Sequence, residues 1–158
     1  MFRIAAFFIS LVFAAPLAAQ QIAFGTPDKD RDAPVEVTSD RLAVSQNDNS
    51  AVFTGNVIVG QNDMRLAAPR VTVIYLENED KIEILQARDG VTMTDGPDAA
   101  EAQEADYNIE TGIVELRGNV LLLQGNDVIT SDYAYIDTEA GTAQITGRVK
   151  TVIQPAGE

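Results

Sequence analysis

The sequence predicts an all-β domain of about sixteen short antiparallel strands, rolled so that one apolar face is enclosed. Three observations predict it. The stretch Thr54-Gly55-Asn56-Val57-Ile58-Val59 returns as Arg117-Gly118-Asn119-Val120-Leu121-Leu122, and weaker copies of its turn stand at Asp89-Gly90-Val91 and Gly147-Arg148-Val149. Gly55, Gly90, Gly118 and Gly147 therefore fall roughly 30 residues apart, a spacing typical of repeat architectures. A second signature runs in phase with the first, in Val37–Val44, Leu66–Val73, Ala100–Tyr107 and Ile129–Ile136. In each copy the apolar positions change parity across a small residue. A strand keeps residues i and i+2 on one face, so a change of parity marks a bulge or corner that re-aims the side chains. The predicted unit is strand, corner, strand, turn, strand, repeated four times.

The elements follow in order. Residues 4–13 form an apolar run behind Arg3, too short to span a bilayer, which takes about 20 residues. Small residues ending in Ala18-Ala19-Gln20 follow, so residues 1–19 read as a cleaved secretory signal with the cut after Ala19 or nearby. Residues 20–33 hold Gly25, Pro27 and alternating charges, and read as a mobile polar arm. Asp28-Lys29-Asp30-Arg31-Asp32 has the start of a calcium-loop rhythm, but Ala33 and Ser39 stand where such a loop needs Gly and Glu, so no metal site is expected.

The β-domain is expected over 34–155, with a tail at 156–158. Val35 to Val44 is the first cornered pair, and Gln46-Asn47-Asp48-Asn49 turns by composition. Residues 51–60 read as two strands folded at Gly55-Asn56, and residues 64–76 return after Gln61-Asn62-Asp63. Lys81 to Leu85 alternates and leads to Asp89-Gly90. Ala99 to Ala105 scores as helix on propensity, yet its phase with the repeat predicts strand. Residues 113–123 carry the second strong copy, 128–145 the last unit, and Val149 to Ile153 a final β run before Pro155.

Parity then lists the enclosed face. It takes Val35, Val37, Leu42, Val44, Phe53, Val57, Val59, Leu66, Val71, Val73, Ile82, Ile84 and Met93, and continues with Tyr107, Ile109, Leu116, Val120, Leu122, Ile129, Ile136 and Ile145. Thr54, Thr72, Glu83, Glu115, Arg117 and Thr146 fall opposite. This inner face is almost wholly aliphatic. It is equally compatible with a dry core and with a groove that holds alkyl chains.

Composition excludes several functions. A formal charge of −13 lacks the basic footprint that nucleic acid or an anionic membrane surface requires. There is no cysteine, so an exported chain must fold without disulfides. There is no histidine, no Ser-x-x-Lys spacing and no Gly-rich phosphate loop. The carboxylates fall in turns or on the outer parity. No catalytic residue, cofactor or metal ligand is expected, and the chain reads as a non-enzyme.

Pro34-Val35-Glu36-Val37-Thr38-Ser39-Asp40, Phe53-Thr54-Gly55-Asn56-Val57-Ile58-Val59 and Leu116-Arg117-Gly118-Asn119-Val120 together resemble the OstA-like family. The resemblance covers about residues 33–155. It implies a β-jellyroll of twisted, V-shaped sheets around an apolar groove in which the lipid A acyl chains of lipopolysaccharide ride. It implies a place in the periplasm of a Gram-negative bacterium, between inner and outer membranes. It also implies head-to-tail self-association by strand addition, with an LptC-like inner-membrane protein and an LptD-like outer-membrane translocon as partners. The resemblance implies lipid contacts at Val35, Val37, Met93, Tyr107 and Ile109, and parity adds Leu42, Val44, Phe53, Val57, Val71, Val73, Leu116, Val120 and Ile136 to the expected groove. The partner-binding edges are Val35, Glu36 and Val37 at one end and Val149, Lys150, Thr151, Val152 and Ile153 at the other. The alternative is a structural β-repeat scaffold without a lipid ligand.

Overall fold

A pleated strand cannot carry its apolar face around a corner without extra residues, and this chain supplies them at every second strand. The structure is a computed structural model that describes residues 21–25, 30, 32–77 and 80–155. The expected signal at 1–19 and the tail at 156–158 lie outside the described residues. Among the described residues thirteen strands form one sheet in which all neighbours are antiparallel, and there is no helix. They are β1 (Gln21–Ala23), β2 (Glu36–Thr38), β3 (Arg41–Ser45), β4 (Ser50–Gln61), β5 (Met64–Tyr75), β6 (Ile82–Arg88) and β7 (Val91–Asp95). The rest are β8 (Asp98–Ala102), β9 (Glu104–Asn108), β10 (Ile113–Gln124), β11 (Asp127–Asp137), β12 (Thr142–Thr146) and β13 (Lys150–Val152).

The sheet bends along one transverse line into two wings. The first wing runs β2, the second half of β4, the first half of β5, β7, β8, the second half of β10, the first half of β11, and β13. The second wing runs β3, then the other halves of β4 and β5, β6, β9, the other halves of β10 and β11, β12, and β1. Four strands pass through the corner unbroken. That is why about sixteen short strands were expected and thirteen are found.

At the corner, single residues alternate with pairs. Asp40, Pro69, Gln103 and Asp132 stand opposite Gly55-Asn56, Asp89-Gly90, Gly118-Asn119 and Gly147-Arg148, as the register steps on either side require. Gly55-Asn56 therefore does not fold two strands back on each other, as expected; it is a bulge inside β4. Gly55 at φ +82° and Asn56 at φ +47° bend the strand without reversing it, because two residues face the single Pro69. Pro69 has no N–H to leave unsatisfied there. Elsewhere the single residue donates its backbone N–H across the corner, Asp40 to Gly55 O, Gln103 to Gly118 O and Asp132 to Gly147 O, each at 2.9 Å.

The two inward faces make one core. Val57, Val59, Leu66, Met93 and Leu122 of the first wing share it with Val71, Val73, Leu85, Leu116 and Ile136 of the second, all at 2% exposure or less. Burial of each such side chain contributes about 1.5–3 kcal/mol. Ala99 to Ala105 is strand, as the repeat phase predicted: Ala100, Ala102 and Ala105 point inward while Glu101 and Glu104 are exposed.

The N-terminal segment departs from expectation. Residues 21–23, read as part of a polar arm, form β1 on the edge of β12, and Phe24 is 2% exposed inside the core. Ile22 and Phe24 at strand spacing outweigh the charges that follow them. Further on, Asn62 Nδ2 donates to Asp30 O (2.8 Å) and Gln61 Nε2 to Ala33 O (3.0 Å), so the segment stays in contact with the tip of the β4–β5 hairpin.

Candidate functional site

The enclosed face between the wings, with its two end faces, is the candidate site. Of the expected groove positions, Val57, Val71, Val73, Met93, Tyr107, Ile109, Leu116, Val120 and Ile136 are buried in the shared core. Val35, Val37 and Phe53 are partly buried against it. Leu42 and Val44 differ from the expectation of enclosure. They pair with Phe53 and Ala51 and so lie on the inward side, yet they are 55% and 70% exposed. β3 is the last strand of its wing, and among the described residues nothing covers its inner face. The opposite end repeats the arrangement. Val149 and Ile153 continue the inward parity of Thr151, which pairs with inward Ile129, and they are 49% and 72% exposed. The apolar lining thus runs through the molecule and emerges at both ends.

Two hydrogen bonds join the second wing to the first inside the lining: the buried Tyr107 OH donates to Gln61 Oε1 at 2.9 Å, and Gly25 N–H, just after β1, donates to the buried Asp98 Oδ2 of β8 at 2.7 Å. Beside the first of these, Asp30, Ala33, Val35, Gln61, Lys81, Ile109 and Glu139 border an open cleft of about 690 Å³ between the rows of hairpin tips.

Sequence reasoning missed part of the lining. On β6 it chose Ile82 and Ile84, but Leu85 and Ala87 face inward, with Ile82 rejoining the core at an irregularity before Ile84. The repeat phase could have found Leu85, which stands two residues from Ala87 and directly opposite Val73. Ala134 and Ala143 are inward too, at 0% and 1% exposure, but alanine carries little periodic signal.

β2 pairs only with β4, and β13 only with β11, so each has one side unpaired among the described residues. β3, not singled out as an edge, is open in the same way. The fourth terminal strand, β12, is covered by β1.

The outer face is charged and self-paired. Asp106 accepts from Arg88 Nη1 (2.7 Å) and Arg117 Nη1 (2.9 Å), and Arg117 Nη2 reaches Glu115 Oε2 (2.6 Å). Asp106 first, and Glu115 with it, raise the Arg117 guanidinium above its ordinary value. Next to it, burial and then the Glu115 charge push the Tyr133 phenol up. These ladders clamp β6, β9, β10 and β11 from outside. Among the described residues no group of His, Cys, Asp or Glu could hold a metal ion.

Comparison with known proteins follows the geometry. Residues 36–142 match the family described as LptA/(LptD N-terminal domain) LPS transport protein. An uncharacterized protein of Rhizobium meliloti is 26% identical over 173 residues, covering 98% of this chain and 93% of that one. The lipopolysaccharide export system protein LptA of Escherichia coli is 28% identical over 162 residues, covering 94% and 85%. The crystal structure of LptH, the LptA-homologous periplasmic component of the lipopolysaccharide transport device of Pseudomonas aeruginosa, superposes with a TM-score of 0.73 at 19% identity, covering 81% of this chain and all of that one. That likeness bears on the fold. The all-β architecture, the repeat and the matched span together make this chain a member of the LptA/LptD N-terminal-domain family of lipopolysaccharide transport proteins.

Proposed function

We propose that this protein carries lipopolysaccharide through the periplasm, holding the lipid A acyl chains between its wings and leaving the anionic headgroup outside. The observation that carries this reading is the apolar lining that emerges uncovered at both ends, at Leu42 and Val44 and at Val149 and Ile153. An acyl chain of about a dozen methylenes leaving water for such a lining releases about 10 kcal/mol before costs. That drive needs no ion pair, which suits a chain of formal charge −13. The inner side chains pack on one another in the middle of the molecule, so acyl chains enter by parting the wings about the corner line.

Transport across a gap requires a continuous path. Open edges at β2, β3 and β13 allow strand addition, and a head-to-tail contact of unlike ends builds a file instead of a closed ring. In this reading the file docks on an LptC-like jellyroll at the inner membrane and an LptD-like jellyroll at the outer membrane. Residues 1–19 are the export signal and are removed.

One observation favours the scaffold alternative: Val59, Val71 and Ile136 are fully buried, as in a permanent core. Photo-crosslinking separates the two. A photoreactive residue at Val37 or Tyr107 should capture lipopolysaccharide in cells, and one at Glu101 or Glu115 should not. Equal capture at inner and outer positions, or none at either, refutes the carrier.

A further inference from the structure

The terminal strands of the two ends match. One end offers β2, three residues long, and β3, five residues long; the other offers β13, three, and β12, five. β2 and β13 belong to the first wing, β3 and β12 to the second. Strand direction also matches. The second wing alternates from β3 to β12 through eight antiparallel strands, so a ninth strand beyond β12 runs in the direction of β3. In this chain β1 occupies that ninth place.

β1 also copies the pattern of β3. Gln21-Ile22-Ala23-Phe24 sets polar, aliphatic, alanine, apolar; Arg41-Leu42-Ala43-Val44 does the same. Ile22 pairs with inward Ala143 and packs against the core, Ala23 pairs outward with Thr142, and Phe24 N–H continues the ladder to Gly141 O at 2.9 Å. On β3, Leu42 and Val44 hold the same inward positions but are left exposed. An apolar pair without cover at one end, and a matching apolar pair seated at the other, are two halves of one contact.

We propose that the outer edge of β12 is the acceptor for β3 of a second copy of this chain, and that β1 holds that place intramolecularly until the copy arrives. The proposal rests on the head-to-tail reading above and adds a competition to it. At its β12–β13 end a free molecule is capped on the second wing and open on the first. An arriving copy brings β3 in place of β1 and, in the same step, sets β2 against β13. It replaces three residues with five and covers Leu42 and Val44, which β1 cannot do. The edge is thus protected in the monomer, where an open strand would invite indiscriminate pairing, and released only to a partner that fits both wings.

The chain has no cysteine, so engineered pairs report cleanly. Directly opposed strand residues have Cα atoms about 4.5–5.5 Å apart, within disulfide reach. Ala23→Cys with Thr142→Cys locks β1 on β12 from the solvent side. Sedimentation velocity of the mature chain should show the apparent dissociation constant for assembly raised about tenfold or more on oxidation, and restored by reductant, because the competent state is withdrawn. Phe24→Ala should strengthen assembly. A mixture of an Ala43→Cys chain and a Thr142→Cys chain should give a disulfide-linked heterodimer, since Ala43 takes the place of Ala23. Assembly that ignores the lock and yields no such heterodimer overturns the cap while leaving head-to-tail association standing. Chains that stay monomeric in every form, reduced or uncapped, overturn both.

Discussion

Gly118→Ala tests whether the corner is as closely packed as its geometry requires. Gly118 sits at φ +79°, where an L-residue costs about 1–2 kcal/mol. A Cβ there would overlap Gln103 Oε1 and stand 2.9 Å from Gln103 Cδ and 3.1 Å from its Cβ. The Gln103 side chain is exposed and its amide can swing into water, but its Cβ is fixed to a backbone held by the 2.9 Å bond from Gln103 N to Gly118 O. Moving that strand by a few tenths of an ångström adds about 1 kcal/mol. The expected loss is therefore about 2–3 kcal/mol, a fall of about 10 °C in Tm for a domain of this size. Gly125→Ala is the control, because Gly125 has φ +58° and nothing within 4 Å of the added atom. It carries the backbone cost alone, about 1–2 kcal/mol. Urea unfolding followed by far-ultraviolet circular dichroism measures both, since the chain has no tryptophan. Equal losses at the two sites would refute the reasoning: the corner would need glycine for its dihedral angle only, and the approach of Gln103 would be wrong.

Other outcomes follow from the edges and the charges. Thr151→Pro on β13 should leave the urea midpoint close to wild type and abolish concentration-dependent assembly, because Val152 and Gln154 turn their N–H groups toward β11 and Thr151 turns its own outward; assembly that persists would move the contact to another surface. Arg148, bonded to Asp132 at 2.7 Å, holds that carboxyl below its ordinary 3.8. A lowered folded-state value means the contribution is present above the ordinary aspartate range and lost as pH falls through it, so Asp132→Asn should flatten that part of the acid unfolding curve. Tyr133 works in the opposite sense. Burial and Glu115 raise its phenol above the ordinary 10, so its contribution is full below that value and lost as pH rises through it, and Tyr133→Phe should remove this alkaline loss. Asp106→Ala leaves Arg88 and Arg117 side by side and should destabilise by about 1 kcal/mol at low salt and less at high salt; no salt dependence would dissolve the ladder.

The repeat made the fold legible. Gly55-Asn56 and Gly118-Asn119 announced where the sheet bends, and parity on either side named most of the lining, from Val57 to Ile136. It did not tell a bend from a reversal at Gly55, because the same dipeptide serves both and only the register of Pro69 opposite decides. It placed Leu42 and Val44 on the correct side of the sheet but could not foresee their exposure, which depends on how many strands lie beyond them. β1 was hidden for a different reason. Three residues bounded by a glycine and a charge run offer no period to read, and the strand exists because β12 ends the wing with an open edge. The short irregularity before Ile84 shifted the choice on β6 by one, which is enough to exchange inside for outside.

Single-residue and paired corners alternate along the bend, and this makes the length of such a domain discrete. Deleting one strand would set a paired corner beside another paired corner and leave the wings one residue out of step. A one-residue slip turns every inward side chain outward, so Val57 and its neighbours would face water. Deleting or duplicating two adjacent strands, with one corner of each kind, leaves every remaining pairing intact. Inheritance can therefore lengthen or shorten the chain only in steps of about 30 residues, the spacing of its corner glycines. Each step changes the reach of one molecule by two strand spacings, about 10 Å.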